Sequence, residues 1–263
     1  MAHDLTLVKI ALLFVVGFIA GVINALAGGG TILTFPTLIF AGLPAIVANA
    51  TNTIAMPLGA LAGAAGYRRN LPTAWKWIRR FAFVSLLGGL LGGILLTRTS
   101  EKTFEWLVPF LILFATILFM ARGFFSRLFR TGVEQQQRAP SAAWLVGATA
   151  FQFLVAVYGG YFGAGIGILM LASLGMLGIG HIHEMNTVKN ALGFLINIVA
   201  AIYFVIAGLI HWPSAIVMTI GAIGGGYFGA HFAQKIPQIV VQRVITGIGF
   251  FLTAIMFIKQ LAK

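Results

Sequence analysis

Residues 21–52 read GVINALAGGGTILTFPTLIFAGLPAIVANATN. Three consecutive glycines, Gly28, Gly29 and Gly30, interrupt an apolar run there. Such a triplet cannot hold a regular helix well. The apolar piece that follows, about 31–42, has roughly 12 residues, too few for an upright membrane span. The pattern returns further along. Adding 137 to Gly28, Gly30, Asn49, Trp75, Gly88, Gly89 and Gly92 lands on Gly165, Gly167, Asn186, Trp212, Gly225, Gly226 and Gly229. One offset without gaps matches seven unusual residues, so the chain consists of two related halves. Paired breaks in a duplicated apolar chain are the pattern of secondary transporters, whose site lies where the breaks meet near the bilayer midplane.

Of the 263 residues, 60% are hydrophobic and 8% charged, against about 25% charged in soluble domains. Eight long apolar spans are expected, at about 7–27, 46–66, 77–97, 104–121, 142–163, 184–207, 213–233 and 240–260. Each can cross ~30 Å of hydrocarbon. Two short pieces, 31–42 and 168–179, follow the breaks Gly28-Gly29-Gly30 and Gly163-Ala164-Gly165-Ile166-Gly167. They read as half-helices or re-entrant arms, because irregular backbone survives at that depth only when buried in protein or lining a wet cavity. The expected fold is an all-α polytopic membrane protein built as an inverted repeat. Each half is a broken, re-entrant helical hairpin plus three transmembrane helices. Repeat 1 covers 1–121, a basic cytoplasmic linker 122–141, and repeat 2 142–263. The start of the chain (Lys9, the apolar run 10–23, then Ala25-Leu26-Ala27) has the look of a signal peptide. The mid-chain counterparts of the glycines that follow favour a first span instead.

Orientation follows from the positive-inside rule. Arg68, Arg69, Lys76, Arg79 and Arg80 surround one loop, and Arg122, Arg127, Arg130 and Arg138 fill the central one. Both are expected to be cytoplasmic. The loop 208–212, the counterpart of 71–75, carries no Lys or Arg and is expected outside. Corresponding loops then lie on opposite faces, which makes the repeats inverted. Lys235 and Arg243 fall inside; Lys9, Arg98, Lys102, Lys259 and Lys263 fall outside. This requires each opening hairpin to return to its starting face.

The net charge of +12 resides in short loops, where it sets orientation and touches anionic lipid. No basic stretch forms a folded surface for nucleic acid. With no cysteine, disulfides and thiol chemistry are excluded. No Ser/His/Asp grouping, nucleotide loop or pair of catalytic carboxylates appears, so the chain does not read as an enzyme, and no cofactor is implied. His181 and His183 make too small a set for a metal site. Glycine pairs at helical spacing, such as Gly17/Gly21, Gly88/Gly92 and Gly225/Gly229, let helix backbones approach closely. Such surfaces also leave room for a homodimer. Trp75 and Trp212 sit at span starts, as interface anchors do.

The candidate site gathers polar residues beside the breaks. Freed glycine N–H groups and the positive end of a half-helix starting near Thr31 attract anions. The candidates are Gly28, Gly29, Gly30 and Thr31 from the first half, and Gly163 and Gly165 from the second. The bland alternative is a kink that serves packing. Asn49, Thr51, Asn52 and Thr53 form a polar cluster whose counterpart is Asn186, Thr187, Lys189 and Asn190. Unpaired amides in lipid cost several kcal/mol, so these groups face partners, water or a ligand. Asn24 lies one helical turn before Gly28 on the same face; its bland role is an interhelical hydrogen bond. Lys189 is singular, because an ionisable residue within a span is a functional candidate by default. Pairing with Glu184 or snorkelling to the surface is the alternative. The substrate-binding set is therefore Asn24, Gly28, Gly29, Gly30, Thr31, Asn49, Thr51, Asn52, Gly163, Gly165, Asn186, Lys189 and Asn190.

Gly21 to Gly30, with Pro36, Gly42 and Ala48-Asn49-Ala50-Thr51-Asn52, resembles the first-half signature of the sulfite exporter TauE/SafE family. Tyr161-Phe162-Gly163 and Asn186-Thr187-Val188-Lys189-Asn190 resemble its second-half partner. The resemblance spans nearly the whole chain. It implies a transport protein of the bacterial cytoplasmic membrane, handling small sulfur-containing anions such as sulfite and sulfonates, or other organic anions. The chain departs from the family pattern where relatives carry an acid at the position of Asn24, a lysine at that of Thr53, and a second acid near Gly159-Gly160. Loss of those acids puts proton coupling in doubt and makes a cavity friendlier to anions.

The expected function is secondary transport of a small anion (a sulfur oxyanion, organosulfonate or small carboxylate) by alternating access. Membrane lipids are the expected surroundings. A passive anion channel, or a membrane accessory protein without transport activity, remains the alternative.

Overall fold

A computed structural model describes residues 6–26, 29–64, 71–135, 142–176, 182–232 and 238–261. Among them the regular structure is helical: α1 (Leu7–Leu26), α2 (Thr31–Phe40), α3 (Ala45–Ala64), α4 (Leu71–Arg98), α5 (Glu101–Gln135), α6 (Ala142–Tyr161), α7 (Ile166–Met176), α8 (Ile182–Ile206), α9 (Trp212–Phe232) and α10 (Gln238–Leu261). Six of these, α1, α4, α5, α6, α8 and α10, are long and apolar enough among the described residues to cross a bilayer. The protein is a multi-pass membrane protein. The expected spans 46–66 and 213–233 correspond to α3 and α9, helices of 20 and 21 residues. Helix α5 continues to Gln135, well into the segment read as linker.

The two short pieces are helices of 10 and 11 residues. Glycine sets their limits. Helix α2 stops at Ala41-Gly42, where Gly42 takes φ 101°. Its N–H donates to Ile39 O at 3.0 Å, and the N–H of Leu43 returns to Leu38 O, satisfying carbonyls that a helix end otherwise strands. Gly163 (φ 82°) and Gly165 (φ 81°) turn the chain between α6 and α7, a backbone region in which L side chains are strained. Lys9, near the start of α1, comes beside Gly42 at the end of α2. The end of α2 therefore comes back beside the start of α1.

Packing is reciprocal between the halves. Helix α1 lies against α9 and α6 against α4; α3 lies against α9 and α4 against α8. The glycines make the first two contacts possible. A Cβ on Gly221 or Gly225 would overlap the carbonyl oxygens of Phe14 and Phe18, and one on Gly92 that of Val157. Gly89 and Gly160 meet backbone to backbone at the α4–α6 crossing. At these two crossings the glycine faces are occupied within the chain. Helices α5 and α10 run antiparallel. Gln242 Nε2 donates to Phe119 O, Gly249 faces Thr116, Phe257 meets Phe110 at 5.1 Å, and Gln260 donates to Trp106 O.

Glu101, at the start of α5, caps α3 from outside its own helix. Its carboxylate accepts from the N–H groups of Ala45 and Ile46. Those are first-turn donors with no intrahelical partner, and a carboxylate there also complements the helix dipole. Glu101→Ala is expected to cost ~1 kcal/mol, and Glu101→Gln less. Melting in detergent should show a drop of a few degrees for Ala; an unchanged melt would refute the cap.

Candidate functional site

A cavity of about 680 Å³ lies between the halves. The first half contributes Asn24, Gly29, Thr31 and Ile32 at the first break, Asn52, Thr53 and Met56 on α3, and Trp75, Ile78, Arg79, Ala82 and Leu86 on α4. From the second half come Phe162, Gly163 and Gly165 at the break, Gly167 and Met170 on α7, and Thr187, Lys189, Asn190, Phe194 and Asn197 on α8. Eight residues of the sequence-derived set meet here: Asn24, Gly29, Thr31, Asn52, Gly163, Gly165, Lys189 and Asn190. The repeat offset places Asn52-Thr53 opposite Lys189-Asn190, and both dipeptides line the cavity, one from each half.

The first break is closed by its own side chain. The Gly30 N–H donates to Asn24 Oδ1 at 2.8 Å. Gly30 itself is wedged against Ala20 O, where a Cβ would sit 2.7 Å away, so only glycine fits. The N–H expected to serve an anion is instead occupied by Asn24, and Gly30 lies behind the lining. Asn24 Nδ2 points to Met56 Sδ at 3.8 Å. The buried Thr34 hydroxyl donates to Asn52 Oδ1 at 2.5 Å, which leaves that amide's donors on its other side. The stem of Lys189 lies on Gly167, with Cδ 3.3 Å from where a Cβ would stand.

Four other candidates sit elsewhere, and Gly28 lies outside the described residues. Besides Gly30, these are Asn49, Thr51 and Asn186, none of which lines the cavity. Asn49 is fully buried and donates through Nδ2 to Tyr161 O at 2.8 Å, while its Oδ1 has no partner among the described residues. Thr51 accepts from the His211 N–H at 3.0 Å. Both tie the halves together. Phe162, on the cavity wall, belongs to a buried aromatic cluster: Phe35 meets Phe162 edge-on at 5.2 Å, and Phe104 meets Tyr161 at 5.7 Å. The cavity also reaches the exposed residues Trp75 and Arg79.

Several lining residues fall outside the sequence-derived set. Thr53 and Thr187 belong to the polar clusters already noted. Trp75 and Arg79 read in sequence as interface and loop residues, yet they stand on the same α4 face as Ile78, Ala82 and Leu86. Asn197 follows Asn190 by seven residues, two turns along one face, and that spacing was the available signal. Its Nδ2 donates to Gly193 O at 2.7 Å, and its Oδ1 faces Gly163. Among the described lining residues two are cationic, Arg79 and Lys189, and none is a carboxylate.

Fold and cavity together define a polytopic helical membrane protein with a ligand-sized chamber between two related halves. The family profile of the sulfite exporter TauE/SafE matches residues 13–256, and the chain belongs to that family. A "probable membrane transporter protein" of Haemophilus influenzae is 29% identical over 98% of both chains. The "probable membrane transporter protein ORF9" of a Sinorhizobium species is 28% identical over 88% of this chain and 86% of its own. The Escherichia coli "probable membrane transporter protein YfcA" is 24% identical over 93% and 88%. These relatives place the chain among membrane transporters. No solved structure is significantly similar to it.

Proposed function

We propose that this protein is a secondary transporter of a small anion, a sulfur oxyanion, organosulfonate or small carboxylate, in the cytoplasmic membrane with its central loop inside. The observation that carries this reading is the cavity's chemistry. Counterpart dipeptides from the two halves face one chamber whose described lining holds two cations and no carboxylate. An anion exchanges its hydration there for amides, hydroxyls and an ammonium, donors of the kind that hold buried anions.

Eight long spans and two half-helices, related as inverted repeats, form the scaffold of this proposal. Inversion is supported by the antiparallel α5–α10 pair, because counterparts across an in-plane two-fold axis must run in opposite directions. The reciprocal α1–α9 and α6–α4 contacts fit the same axis. The chamber reaches the surface at the basic start of α4, which the charge rule puts in the cytoplasm. Phe35, Phe104, Tyr161 and Phe162 seal the opposite side. This is the cytoplasm-facing state of an alternating-access cycle, in which one repeat rocks against the other to break the aromatic seal.

Purified protein in liposomes, challenged with sulfite, thiosulfate, sulfonates, sulfate and small carboxylates with and without a pH gradient, tests the reading. Saturable flux of at least one anion is expected. Flux that never saturates would point to a channel, and silence across the panel under every gradient would overturn the proposal.

A further inference from the structure

Resting on the transport reading above, we infer that the substrate is an amphiphilic organic anion, with a charged head and an apolar body, rather than a compact inorganic oxyanion. The cavity has two kinds of wall. Lys189, Asn190 and Asn52 supply donors for one anionic group. On α4 the lining is Ile78, Ala82 and Leu86, spaced four residues apart and so forming one stripe roughly 12 Å long at 1.5 Å per residue. Between Arg79 and Leu86, α4 places no polar side chain in the lining. Met56, Met170 and Phe194 continue the apolar surface on the other helices.

A bare oxyanion needs polar partners all around it, because each face turned to hydrocarbon loses hydration without replacement. It would fill a small part of about 680 Å³, a volume in the range that encloses drug-sized ligands. A headgroup with an alkyl or aryl body uses both walls. The head takes the donors of α3 and α8, and the body lies along the α4 stripe. Two methionines, flexible and polarizable, let the body vary in shape.

The test is a homologous series. Charge movement on supported proteoliposomes is measured for linear alkane-1-sulfonates from one to eight carbons, the matching carboxylates, and sulfite. The half-saturating concentration is expected to fall about three- to fourfold per methylene across the series, with sulfite the weakest. Leu86→Asn and Ala82→Asn should flatten the slope. A slope that persists unchanged in both variants would show that it reports partition into the bilayer, and would overturn the inference. A flat series with sulfite equally effective would also overturn it, leaving anion transport standing. No response to any member, sulfite included, would overturn the transport reading and this inference together.

Discussion

Gly225→Leu yields protein that does not assemble. Gly225 sits where α9 crosses α1, and a Cβ there would fall on the carbonyl oxygen of Phe18, with more of the Phe18 backbone close behind. Backbone cannot swing aside as a flexible side chain can, so the helices must separate. That separation would also pull Gly221 from Phe14 and Gly229 from Val22 along the same face. In a membrane, helix association depends on close packing because lipid tails are as apolar as the side chains. Overpacking commonly costs ~1–3 kcal/mol. A clash with fixed backbone along the α1–α9 seam belongs at or above the top of that range, a large part of a total stability of about 5–15 kcal/mol. In the reciprocal α4–α6 seam, Gly92→Leu, against Val157 and Tyr161 on α6, should fail equally. Gly247 on α10 is the control: a Cβ there meets nothing within 4 Å, and Gly247→Ala should be neutral or stabilising by up to ~1 kcal/mol. Fluorescence-detected size exclusion of tagged protein reads all three. A monodisperse Gly225→Leu peak of wild-type height would refute the packing account.

The equivalence of Gly92 and Gly229 was legible in sequence because close backbone approach leaves a mark that only glycine makes. The half-helices were legible for the same reason, since a glycine break followed by too few apolar residues has few other outcomes. What could not be read was which donors the breaks leave exposed. That depends on chain reversal: Gly30 folds back over the last turns of α1, and Asn24, six residues earlier, takes its N–H. Periodicity placed Asn24 on a face but could not show that the break would return to it. Asn49 and Asn52 illustrate the same limit. They are three residues apart on one helix and equally polar. Yet Asn52 faces the chamber while Asn49 lies off its lining and holds Tyr161 O, and only the position of the other half separates those roles. Arg79 was hidden by its own type, because a cation at a span start satisfies the charge rule whether or not it also borders a chamber. The apolar span of α5 ends at Ala121, where the sequence reading put it, but the helix itself runs on to Gln135, because nothing in the chemistry of the arginines from Arg122 onward stops a helix.

Lys189→Ala should remove saturable transport or raise the half-saturating anion concentration by about 10- to 100-fold. The estimate follows from the worth of a hydrogen bond to a charged group, ~1.5–3 kcal/mol, with roughly tenfold for each 1.4 kcal/mol. Lys189 is half-buried on α8, with its stem laid over Gly167, and it lines the chamber. Lys189→Arg keeps the charge. The bulkier planar head must enter along the same tight groove, so partial activity with altered substrate preference is expected. Arg79, exposed at the mouth, is a rim charge; Arg79→Ala should chiefly change the on-rate and its salt dependence. The competing role for Lys189 is a structural pair with Glu184 on the same helix, and the two roles separate cleanly. A structural pair makes Glu184→Gln as damaging as Lys189→Ala and lowers the melting temperature of both. A substrate contact leaves Glu184→Gln transporting and Lys189→Ala folded but inactive. Saturable flux and melting, measured together on the four variants, decide between them, and wild-type kinetics in Lys189→Ala would remove this lysine from the site.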